Sequence, residues 1–126
     1  MTTVGNGLIG KSIPRIDGPS KTTGRAEYTA DVKLEGMLSG RILRSPFAHA
    51  RIKSIDTSKA KAVPGVHAVV TAADTFDDAR YGRAIVDIPV LASDVVRYVG
   101  EQVAAVAADD EDIADRALQL IEVEYE

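Results

Sequence analysis

Residues 37–74 read MLSGRILRSPFAHARIKSIDTSKAKAVPGVHAVVTAAD, and this stretch decides the fold. Leu38 to Leu43 is apolar and β-capable, and Arg44-Ser45-Pro46 stops it. Pro46 has no N–H for a ladder, so the chain must turn or leave the sheet there. Arg51 to Asp56 alternates as a half-buried strand does. Asp56-Thr57-Ser58 offers capping oxygens to a short helical turn at Lys59–Ala62, which Pro64-Gly65 breaks. Val66 to Thr71 is then a strand with few charges.

Outward from this stretch, residues 1–20 carry Gly5, Gly7, Gly10, Pro14, Gly18 and Pro19. They read as an extended arm with a turn at Asp17-Gly18. Arg25 to Tyr28 is a strand candidate, and a turn is expected near Glu35-Gly36. Residues 75–83, TFDDARYGR, read as a surface loop. Ile85 to Leu91 reads as a short strand interrupted by Pro89. Val95 to Val99 is rich in β-branched residues and leads into Gly100.

Gln102 to Ala108 is uncharged, as a strand buried on both faces would be. Asp109-Asp110 looks like a helix start, with Glu111 and Asp112 in the first turn, where acids suit the helix dipole. Ile113, Ala114, Ala117, Leu118 and Ile121 recur on one helical face. Residues 122–126 alternate as a strand. Strand–helix–strand units therefore run from Ile52 to Val70 and from Val103 to Tyr125. They predict an α+β or α/β domain of two layers, occupying 21–126 behind the arm.

A chain of 126 residues supports one modest core. Aromatics are few and Trp is absent, so that core is built from Val, Ile, Leu and Ala. The net charge of −4 and the lack of a basic stripe argue against nucleic acid. The chain has no cysteine, hence no disulfide, thiolate zinc site or cluster ligand of its own. No signal-peptide pattern opens it, and no apolar run is long enough to span a bilayer. These features fit a cytoplasmic protein.

Several constellations look like chemistry. Gly5 to Ser12 fits both G-x-x-x-x-G-K-[ST] and G-x-G-x-x-G, patterns that cradle phosphates between a strand and a helix. Only four residues precede Gly5, and Pro14, Gly18 and Pro19 follow Ser12. Each interior proline costs a helix roughly 3 kcal/mol. The motif therefore reads as a coincidence in a Gly-rich arm, with nucleotide binding as the alternative. His49 and His67 are the only histidines, and no zinc-type spacing joins them; structural roles are expected for both. Asp109 to Asp112 could hold Ca²⁺ but lacks the EF-hand spacing, and capping explains it more simply. Arg41, Arg44 and Arg51 could form an anion patch, although strand alternation need not put them on one face. Ser45 has neither a nucleophile-elbow context nor an evident base.

Three blocks carry a resemblance. RILRSPFAHARIKSID followed by SKAKAVPGVHAVVTAAD closely resembles the start of the molybdenum-binding subunit of xanthine dehydrogenase-type hydroxylases. This family includes aldehyde oxidase, carbon monoxide dehydrogenase and 4-hydroxybenzoyl-CoA reductase. Residues 9–31, IGKSIPRIDGPSKTTGRAEYTAD, resemble its opening pattern at Arg15, Asp17, Gly18, Lys21, Thr23, Gly24, Ala26, Tyr28 and Asp31. VRYVGEQVAAVAADDEDIADRALQLIEVEYE, residues 96–126, resembles its second block. The resemblance is nearest to the 4-hydroxybenzoyl-CoA reductase alpha subunit or the carbon monoxide dehydrogenase large subunit.

The resemblance implies an α/β-hammerhead: a mixed sheet with packed helices in two layers. It implies a complex holding molybdenum-molybdopterin, [2Fe–2S] clusters and FAD, in which the cofactor performs the hard step. The expected partners are downstream molybdenum-cofactor domains and iron–sulfur and flavin subunits, with no nucleic acid and no membrane. The family continues past Glu126 into the pterin-binding domains, so this chain is expected to be a fragment that is inactive alone. No catalytic, cofactor-binding or metal residue carries over to it. Its expected job is to pack on the cofactor domains and shape subunit contacts; a freestanding assembly module is the alternative. An uncovered apolar face makes self-association an expectation too.

Overall fold

The computed structural model describes residues 10–76 and 79–126. The chain divides into two compact units, Met1–Leu34 and Glu35–Glu126.

In the first unit a short helix, α1, spans Gly18–Thr22, at the end of the stretch expected to be extended. Pro19 lies in its first turn, where the missing N–H is harmless. Asp17 precedes it, paired with Arg15 at 2.8 Å and Lys21 at 2.6 Å. The expected strand at Arg25–Tyr28 does not form. The N–H groups of Arg25 and Ala26 both donate to the Ser20 carbonyl, at 2.8 and 3.0 Å, and so are spent on closing the helix. A 3-10 turn follows at Thr29–Asp31.

The second unit begins with β1 (Ser39–Arg44) and β2 (Ala50–Asp56), on either side of the Pro46 corner. Helix α2 (Ser58–Lys61) leads to β3 (Val66–Thr71), which has the expected bounds. Gly65 makes this junction possible. Its φ of +87° suits glycine, and a Cβ there would lie 2.8 Å from Ile113 Cδ1. Within 79–91, where the end of a loop and a strand were expected, β4 (Arg80–Tyr81) forms a two-residue ladder against β5 (Ile88–Pro89). β6 is confined to Val95–Val96, shorter than the expected run to Val99. The last third holds β7 (Gln102–Ala108), α3 (Glu111–Leu118) and β8 (Glu122–Tyr125).

Strand order is β1-β7-β3 in one sheet and β6-β2-β8 in another. Every ladder among the described residues is antiparallel. The expected mixed sheet thus takes the form of small antiparallel sheets, and the α+β class stands. Each expected strand–helix–strand unit is present but joins strands of different sheets. β2 and β8 pair with each other, whereas β3 and β7 pair in the other sheet.

β7 is the centre. Its Ala104, Val106 and Ala108 point toward the helices and pack with Ala60 of α2 and Ala114 and Ala117 of α3. These alanines are fully buried, so the helices approach closely. Asp110 caps α3, its carboxylate accepting the Ile113 N–H at 2.7 Å. Ile121 is buried just past the helix, while Ile113 and Leu118 are only half-buried against the same core. On the opposite side of β7, Val103 belongs to a second core with Ala50, Ile52, Ala92 and Val96.

Candidate functional site

The densest polar arrangement lies where the Pro46 corner meets the turn before β7. Pro46 ends β1, which frees the Ser45 backbone to bond outside the ladder. Ser45 donates its N–H to the Glu101 carbonyl at 2.9 Å, and Gly100 donates its N–H to the Ser45 carbonyl at 2.8 Å. Arg44 adds a bond from Nη1 to the Gly100 carbonyl, at 2.8 Å. Gly100 enters the turn at φ +92°, a conformation that side-chain-bearing residues rarely adopt.

Ser45 and Glu101 are both buried. The Ser45 hydroxyl accepts the Phe47 N–H at 3.0 Å. The Glu101 carboxylate accepts the Arg97 backbone N–H, and the Arg97 guanidinium stands 3.7 Å from it. The Phe47 ring meets Tyr125 edge-on, with centroids 5.0 Å apart. Burial pushes the Tyr125 phenol up, and a hydrogen bond with Ser45 partly offsets this. Every polar group named here has a structural partner, so the corner is a rivet joining β1, the turn and β8.

The candidates read from the sequence disperse. Of the phosphate-loop pattern, residues 5–9 lie outside the described residues. Lys11 and Ser12 are exposed, and no helix follows them until Gly18. His49 is exposed at the corner. His67 is also exposed, and its Nε2 lies 2.7 Å from the Asp109 carboxylate. The acidic run is divided among separate tasks. Asp109 faces His67, Asp110 caps α3, and Glu111 takes the Arg41 guanidinium at 2.6 Å. Among the described residues, no three His, Cys, Asp or Glu side chains gather to hold a metal ion.

Arg41 also reaches Asp115 at 2.9 Å, and these two carboxylates raise the pKa of its guanidinium. Arg41 and Arg44 point to opposite sides of β1, and Arg51 lies in the other sheet, so the three make no anion patch. A groove of about 370 Å³ runs along Ile52–Ile55 toward Thr71 and Ser93. Its one cation, Lys53, stands near Glu124 and Glu126.

With no cysteine in the sequence, the chain offers no thiolate to an iron–sulfur cluster. No helix among the described residues is long and apolar enough to cross a membrane. The feature missed by sequence reasoning is Glu101. Its only signal is an arginine four residues earlier and a glycine immediately before it.

Known proteins share this fold. The family described as "Aldehyde oxidase and xanthine dehydrogenase, a/b hammerhead domain" matches residues 23–126. A probable xanthine dehydrogenase subunit from Bacillus subtilis (strain 168) is 51% identical over 111 residues, which are 88% of this chain and 15% of that protein. The carbon monoxide dehydrogenase large chain of Afipia carboxidovorans is 49% identical over 115 residues, covering 89% of this chain and 14% of that one. The crystal structure of quinoline 2-oxidoreductase from Pseudomonas putida 86 superposes with a TM-score of 0.84 at 44% identity. That superposition covers 93% of this chain and 16% of the other. The chain thus spans about a seventh of the length of these three relatives, and by fold and sequence together it belongs to the aldehyde oxidase and xanthine dehydrogenase family, whose a/b hammerhead domain it carries.

Proposed function

We propose that this chain serves as the N-terminal structural domain of a molybdenum-dependent oxidoreductase large subunit, working in the cytoplasm. The domain spans 21–126. It packs on the downstream domains that bind molybdenum-molybdopterin and helps shape contacts with iron–sulfur and flavin subunits. The observation that carries this reading is the family match over residues 23–126. The chemistry supports it as well. The polar groups of the corner are spent on holding strands together. When bound elsewhere in such a subunit, the molybdenum group would supply the redox step, and this domain's part is to hold the fold around it. Substrate choice, hydroxylation or a 4-hydroxybenzoyl-CoA reductase-like reduction, belongs in this reading to the other domains.

A graft tests it. The chain replaces the matched stretch of the Afipia carboxidovorans carbon monoxide dehydrogenase large chain, which is then co-expressed with its other subunits. We expect an assembled complex with molybdenum content close to that of the parent, while the 126-residue chain alone binds none. A graft that folds yet never joins the other subunits would sink the reading.

A further inference from the structure

We infer that the outer face of the β1-β7-β3 sheet is a docking surface for a later apolar segment of the same large subunit. This rests on the family-subunit reading above and names the face that reading uses. The register defines the face. Gly40 lies opposite Ala107 and Ile42 opposite Ala105 on one side of β7. Ala68 lies opposite Ala107 and Val70 opposite Ala105 on the other. All six residues turn away from α2 and α3, whose side of the sheet takes Ala104, Val106 and Val69.

A solvated face of an antiparallel sheet is ordinarily polar. The six central residues of this one carry no charge, in a chain that is 27% charged, and Arg44 stands at its end opposite Gln102. β7 is apolar on both sides, so its residues suit cover on both sides. The second core supplies that cover over Val103 and stops there. Ala105 and Ala107 are left half-buried, and Ile42 is 40% exposed. The open area is thus the direct continuation of a packed core.

Shape selects the occupant. The centre is Ala105 and Ala107, with Gly40 and Ala68 beside them, and Ile42 and Val70 stand at the rim. A shallow trough of this kind accepts a row of large apolar side chains. Two copies of the face brought together would oppose alanine with alanine and pack poorly. In the relatives about six-sevenths of the chain lies outside the matched stretch, and such a subunit has ample sequence to supply the row.

The test uses thiols, since the chain has no cysteine. Ile42→Cys and Ala107→Cys are made singly, in the 126-residue chain and in the grafted carbon monoxide dehydrogenase complex. Maleimide labelling rates are read by mass spectrometry of the peptide that carries each thiol. We expect at least tenfold slower labelling at both positions in the complex than in the free chain. Equal rates in a complex that assembles and holds molybdenum would overturn the docking face and leave the family-subunit reading intact. Protection already present in the free chain would also overturn it. Protection that grows with protein concentration would assign the face to a second copy, and protection independent of concentration would assign it to the chain's own residues. A graft that fails to assemble with the unsubstituted chain would remove both readings.

Discussion

Ser45 and Glu101, the two polar residues buried among those described, are hydrogen-bonded to each other through the backbone, Ser45 N–H to Glu101 carbonyl, at 2.9 Å. The pairing follows from the cost of burying polar groups. Each brings a side chain that must be satisfied inside the corner, and each is satisfied by a nearby backbone N–H.

Removing the Glu101 carboxylate strands the Arg97 N–H. Glu101→Ala is expected to lower stability by about 1–3 kcal/mol. Glu101→Gln keeps an acceptor and should lose clearly less. Urea titration of the two variants checks the order.

Gly65 sits beneath the first turn of α3, with Ile113 and Asp109 both in the way of a Cβ. Gly65→Ala meets the left-handed backbone and the steric contact together. We expect a loss of about 1–3 kcal/mol by the same titration. Gly24→Ala is the comparison. It has a φ of +70° but nothing within 4 Å of an added Cβ, and should lose less.

Helix α3 tolerates change unevenly. Ala117 is fully buried between helix and sheet, so Ala117→Leu overpacks the contact and should cost about 1–3 kcal/mol. Leu118 is half-buried, and Leu118→Ala should fall below the roughly 2–5 kcal/mol of a fully buried leucine. Thermal melts of both variants test the ranking.

Acid should loosen the turns after β2 and β3. The Ser58 N–H holds the Asp56 carboxyl below its usual range, and the Thr71 N–H and hydroxyl do the same for Asp74. With a folded pKa below the unfolded one, each contribution is fully present above the ordinary value of 3.8. It is lost as pH falls through the lowered value. The urea midpoint should therefore drop between about pH 4 and more acidic buffer. Asp74→Asn should flatten that drop, and an unchanged slope would speak against the assignment.

Nucleotide should not bind. Lys11 is exposed, and the residues after Ser12 are not helical until Gly18. Calorimetry with Mg-ATP is expected to show no saturable heat. Micromolar binding abolished by Lys11→Ala would reverse this.

Much of the fold was legible because it is local. Val66–Thr71 declares itself by β-branched residues after Pro64-Gly65, and α3 by an acidic start followed by apolar positions at helical spacing. What escaped is long-range. Arg41 finds Asp115 across 74 residues, which no window of sequence reveals. The Arg25–Tyr28 stretch looked β-capable, but its first N–H groups were claimed by Ser20. Glu101 was passed over because its burial depends on the corner built around Ser45. The candidate sites dispersed for the same reason. Neighbours in sequence such as Asp109, Asp110 and Glu111 are partners of three different residues in space.

The strand order β1-β7-β3 also governs when the protein can take shape during synthesis. Both outer strands are made by residue 71, yet neither bonds the other, and each awaits the strand at 102–108. Loop closure on this scale is slow, and a nascent chain carries two unpaired strand edges until its centre leaves the ribosome. A ribosome-stalled chain ending at residue 100 would hold no ladder of that sheet, so a translational pause there leaves the edges open to neighbouring chains.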